Sequence, residues 1–133
     1  MSIQTDISVG EFLDKLTILQ IKADRITDAD KLQNIRHELA TLTAVWSASA
    51  YAGNAGLEPA IHDLRRVNES LWETEDAIRA KEAAGEFDEE FIRLARSVYV
   101  TNDRRAAIKK EINEKTGSGI KEEKSYTAYP HAE

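Results

Sequence analysis

Leu32, Ile35, Leu39, Leu42 and Trp46 follow one another at spacings of three and four residues, and no other feature of the chain restricts its fold so strongly. That rhythm puts every apolar side chain on one face of an α-helix, whereas in a strand it would scatter them over both faces. Similar stripes recur along the chain. Ser8 and Glu11 make a Ser-x-x-Glu capping box that opens a first helix, with Val9, Phe12, Leu13, Leu16, Leu19 and Ala23 on its stripe. Asp28 caps the second helix, which carries Leu32 to Trp46 and ends before Gly53-Asn54-Ala55-Gly56. The third opens at Pro59, because a first turn does not need the missing N–H. Its stripe runs Ile61, Leu64, Asn68, Leu71, Trp72, Glu75, Ile78 and Arg79 and stops near Gly85. Asp88 caps the fourth, whose stripe is Phe91, Ala95, Val98, Tyr99, Asn102, Ala106, Lys109 and Asn113, and Gly117 ends it. β-branched residues nowhere alternate, so no strand is predicted.

Residues 8–116 thus read as the helical core of a single domain spanning 1–133, with 117–133 a polar tail. Helices three and four should each reach ~40 Å and, with only a few residues between them, must lie antiparallel. The expected fold is an all-α, up-down four-helix bundle in which the shorter helices one and two pack on the long hairpin of helices three and four.

Composition narrows the function. The chain of 133 residues has no cysteine, which removes disulfides, thiolate zinc sites and cysteine nucleophiles. A net charge of −6 argues against sequence-independent nucleic-acid binding, which depends on neutralising phosphates. Nothing aromatic is interleaved on the outer face of the basic run of Arg93, Arg96, Arg104, Arg105, Lys109 and Lys110, so no base-stacking platform is read there. The opening MSIQTDISVGE lacks the basic and apolar regions of a signal peptide, and no stretch approaches the ~18 apolar residues of a membrane span. A soluble, cytoplasmic chain is expected.

No cofactor or metal site emerges. His37, His62 and His131 make neither Glu-x-x-His nor His-x-x-x-His spacing. Glu73-x-x-Asp76 and Glu86-x-x-Glu89 have the spacing of the Mg²⁺-holding acidic pairs of all-α nucleotide pyrophosphatases, but such pairs are common on solvated helices. Glu86, Asp88, Glu89 and Glu90 also suit the positive end of the fourth helix. Gly117-Ser118-Gly119-Ile120-Lys121 lacks the strand, spacing and helix of a phosphate loop and reads as a cap and hinge.

Two features depart from a plain bundle. Polar residues interrupt the stripes of the long hairpin. A turn centred near Gly85 sets Asn68 level with Asn102, and Glu75 level with Arg96 and near Tyr99. An Asn pair and a carboxylate–guanidinium pair are therefore expected inside the hairpin, since unpaired burial would cost ~1–3 kcal/mol each. These groups either fix register or line a pocket for an anionic ligand, with Asn68, Glu75, Arg79, Arg96, Tyr99, Asn102, Arg105 and Lys109 as its candidate residues. The second feature is helix one, where Ile18 and Ile21 lie opposite the Leu16/Leu19 stripe, beside Asp14 and Arg25. Apolar residues on two sides mean a central place in the bundle or a homodimer contact through Asp14, Ile18, Ile21 and Arg25. The tail carries Tyr126 and Tyr129, whose rings would be buried if it docked back onto the bundle as a lid near Arg105 and Lys109.

The blocks Asp14-Lys15-Leu16-Thr17-Ile18-Leu19, Leu71-Trp72-Glu73-Thr74-Glu75-Asp76, Phe91-Ile92-Arg93-Leu94-Ala95-Arg96-Ser97-Val98-Tyr99 with Asn102-Asp103, and Glu122-Glu123-Lys124-Ser125-Tyr126 resemble a family of small bacterial and phage-associated proteins that is a domain of unknown function. The resemblance runs from about Ser8 to Tyr129 and implies a soluble single domain, with no activity to transfer. The expectation is a non-enzymatic helical interaction or assembly module, acting with itself or an unknown protein partner. The alternative is a protein or enzyme that binds a small anionic ligand such as a nucleotide or sugar phosphate.

Overall fold

The computed structural model describes residues 1–120 and 122–130. Lys121, the end of the loop-like Gly117 segment, and His131 lie outside the described residues. Four helices form, α1 (Val9–Arg25), α2 (Ala29–Ala48), α3 (Glu58–Ala84) and α4 (Glu89–Thr116), and no strand occurs among the described residues.

The expected caps close three of the helix starts. Ser8, Asp28 and Asp88 accept hydrogen bonds from the backbone N–H of Glu11, Lys31 and Phe91, each satisfying a donor that has no partner within its helix. Helix α3 starts at Glu58 with Pro59 in its first turn. Gly85 ends it in the left-handed region at φ 66°, where a side chain would be strained.

The architecture is the expected all-α bundle, but its helices are unequal in role. Helix α1 packs against α2, α3 and α4, whereas α2 lies against α1 alone. Leu13 and Leu16 of α1 meet Ala60 and Leu64 of α3 and Ile112 of α4 in the core, with Phe12 and Trp46 stacked at its edge, their ring centroids 6.1 Å apart. The two-sided α1 thus takes the central place. Helix α2 has the most regular stripe in the sequence and no buried residue, because it is covered from one side only.

The hairpin register differs from expectation. Glu86, Phe87 and Asp88 extend the turn beyond the Gly85 cap, and Lys81 clasps Glu86 and Asp88 at 3.0 and 2.9 Å across it. The centre of the hairpin therefore moves past Gly85, and Asn68 and Arg105, not Asn68 and Asn102, reach the same carboxylate oxygen of α1.

Candidate functional site

The strongest polar cluster forms around Asp14 on α1, which is only 2% exposed. Arg105 of α4 embraces it in bidentate fashion, Nε donating to Oδ1 at 2.8 Å and Nη2 to Oδ2. Asn68 of α3 donates to the same Oδ1 at 3.0 Å and to Thr17 Oγ1 at 3.1 Å, and Lys109 Nζ stands 3.9 Å from Oδ2. Lys109 also donates to Glu11 at 2.7 Å and to Glu122 of the tail at 3.0 Å. Burial alone would raise the Asp14 pKa. The hydrogen bonds from Arg105 and Asn68 and the charges of Arg105 and Lys109 outweigh it and hold the carboxyl below its ordinary value. Burial likewise opposes the charge of Lys109, but the Glu11 and Glu122 carboxylates keep its pKa raised.

One glycine allows this approach. A Cβ on Gly10 would sit 2.6 Å from the Lys109 carbonyl oxygen, and the Gly10 N–H donates to Asn113 Oδ1 at 2.7 Å. Helix α1 can therefore lie backbone-close to α4 only with glycine at position 10.

Beyond the Asp14 cluster a groove of about 460 Å³ opens between α1, α3 and α4. It gathers Ile18 and Ile21 with Asn68, Glu75, Arg79, Asn102 and Arg105, against Leu71 and Trp72. Tyr99 lies outside this groove, facing the tail, and Lys109 sits with Glu11 and Glu122. The expected pairs do not form. Glu75 is exposed and its ionic partner is Arg79 on its own helix at 3.9 Å, while Arg96 is exposed on α4 and has no ionic partner among the described residues. Asn68 is taken by Asp14 and Thr17, and Asn102 accepts from Arg105 at 3.5 Å. The physical reason is the extended turn, which carries Arg96 off the level of Glu75. Of the residues considered for a contact through helix one, Asp14 and Ile21 are each 2% exposed within the chain, Arg25 pairs with Glu73 at 3.1 Å, and Ile18 is half-buried.

The tail does dock. Tyr129 packs its ring edge-on against Tyr99, centroids 5.1 Å apart, and donates its hydroxyl to Asp103. That hydrogen bond pushes the Tyr129 pKa up to about 12. Tyr126, the other tail tyrosine, stays 77% exposed. The sequence leaves Asp14 between a central place in the bundle and a dimer contact and does not show its partners. The available signal was an Asp flanked by Leu13 and Leu16 on an apolar helix, a position that requires a cation from elsewhere in the chain.

A family model, DUF6165, matches residues 3–131, nearly the whole chain. The chain belongs to this family of unknown function. No curated protein and no solved structure matches it. Membership of DUF6165 agrees with the resemblance read from the sequence and brings no activity with it. Among the described residues of this DUF6165 chain, no helix is long and apolar enough to cross a membrane. Nor do three or more His, Asp or Glu side chains converge there as a metal-binding set.

Proposed function

We propose that this chain is a non-enzymatic helical interaction module, cytoplasmic in location, whose contact surface is the outer half of the α3–α4 hairpin. The observation that carries the reading is burial: no residue from Glu69 to Ile108 is buried, although Leu71, Trp72, Ile78, Phe91, Leu94 and Val98 lie there. Phe87 and Ile92 are 60% and 54% exposed. Two helices packed mainly on each other, with the tail on one side of α4, leave much of their apolar surface to water, and a covering partner would remove it. A homodimer is one form of this reading. Its contact belongs on the hairpin, since Asp14 and Ile21 offer no surface.

The anionic-ligand reading has less support. Arg105 and Lys109 already face Asp14, Glu11 and Glu122, and Glu75 and Asp76 share the groove with Arg79. An incoming anion would meet Arg105, Lys109 and Arg79 with carboxylates already beside them.

The test is a photo-crosslinking amino acid placed at Phe87, at Ile92 and, as control, at the exposed Glu58 in cells that make the protein. A discrete adduct from the hairpin positions and none from Glu58 is expected. No adduct from either hairpin position, or equal capture from Glu58, would overturn the reading.

A further inference from the structure

The tail crosses α4 as a strap fixed at two points. At one end Glu122 is held by Lys109, and at the other Tyr129 is held by Asp103 and Tyr99. Along the helix, Lys109 and Asp103 are six residues apart, or ~9 Å. The seven steps from Glu122 to Tyr129 can span ~24 Å. The strap has more length than its two anchor points on the helix demand, so its middle has slack. None of the residues from Glu122 to Ala128 is buried, and among the described residues none of their backbone groups is hydrogen-bonded to another part of the backbone.

Between the strap and α4 lies an open pocket of about 600 Å³, bounded by Ala95, Val98, Tyr99 and Asn102 on α4 and by Tyr126 and Tyr129 on the strap. This volume falls within the range of small-molecule sites. Its walls state a chemistry. Ala95 and Val98 make a low apolar floor, and the tyrosine rings offer faces and edges for offset or edge-on stacking. The charges near it are engaged: Asp103 accepts the Tyr129 hydroxyl, and Lys124 stands 3.8 Å from Glu122 and 5.9 Å from the Tyr126 ring centre. Asn102 contributes a side-chain amide, able to donate and to accept.

We infer that the space under the strap is a binding site for a small, planar, uncharged heteroaromatic molecule that presents a hydrogen-bonding edge to Asn102. A face of the Tyr99 ring stacks on the ligand plane beside the edge-on contact with Tyr129, and the strap, with its slack, adjusts its height to the ligand. This site lies on the tail side of α4; it shares Asn102 with the groove beside α1 and Val98 with the hairpin surface, but its test reads a small molecule and not a protein partner.

The experiment titrates the full chain with nicotinamide and with adenine, and with benzoate as a charged planar control, by methyl and side-chain amide NMR. Saturable shifts at Ala95, Val98 and Asn102 are expected for at least one neutral probe, with benzoate at least 10-fold weaker. Tyr129→Ala, which removes one anchor outside every helix, should weaken that binding at least 10-fold while leaving the thermal unfolding midpoint unchanged. Absence of saturable shifts with both neutral probes at millimolar concentration would overturn the inference. So would equal binding by Tyr129→Ala, or equal binding of benzoate.

Discussion

The two ends of the α3–α4 hairpin are built from the same pair of helices and differ in what covers them. At the end holding the chain's N-terminal helix, Leu13, Leu16, Ala60, Leu64 and Ile112 close a core, and a buried carboxylate is matched by a guanidinium, an amide and an ammonium. At the end holding Gly85 the same helices meet mainly each other, with the tail on one side of α4, and nothing between Glu69 and Ile108 is buried. The difference teaches that helix length and helix burial are separate properties. Caps and stripes make α3 and α4 long, but only the reach of α1, 17 residues against 27 and 28, decides how much of them becomes core.

Stability should follow this division. Asp14→Ala would leave Arg105 and Lys109 without their buried counter-charge, and a loss of about 3–5 kcal/mol is expected in urea unfolding. The acid limb of the stability curve sharpens the point. Because the folded pKa of Asp14 lies below its ordinary 3.8, its contribution is complete above that value and fades as pH falls through the lower folded value. Asp14→Ala should therefore show a flatter decline below about pH 4 than the parent chain. A small effect on unfolding would mean that the two ends are not energetically distinct.

A smaller loss should follow from closing the gap at the α1–α4 contact. Gly10→Ala forces a Cβ against a backbone oxygen that cannot swing aside, and overpacking of this kind costs about 1–3 kcal/mol. Unchanged stability in thermal unfolding would show that the helices can separate there without penalty.

Much of this molecule can be read from its residues one helix at a time. Ser8, Asp28, Asp88, Gly85 and Gly117 mark helix ends because capping is local chemistry, decided within three or four residues. Arg105 could not be assigned to Asp14 in the same way, since 91 residues separate them and periodicity says nothing about which face of α1 meets which face of α4. The hairpin register failed for a related reason. A Gly85 cap fixes where α3 stops, but not how many residues pass before α4 begins. The tail was legible in part: its tyrosines indicated docking, while only the fold shows that Tyr129 is the one that docks and Tyr126 is not.

The smallest effects belong to the open end. Glu75→Ala and Arg96→Ala should each change stability by no more than about 0.5 kcal/mol, because Glu75 has only an exposed partner on its own helix and Arg96 has no ionic one among the described residues. Losses of 2 kcal/mol or more in chemical denaturation would mean that the outer hairpin is held as firmly as the core, and would end the comparison.

The central place of α1 also sets the order in which this chain can mature. Helix α1 is made before α4 and carries a carboxylate whose guanidinium partner follows 91 residues later. Until α4 emerges, Asp14 must stay hydrated and α1 cannot settle, so the nascent chain holds its helices as loosely associated pieces. The core closes only once α4 is made, in one step that joins it to the earlier α1.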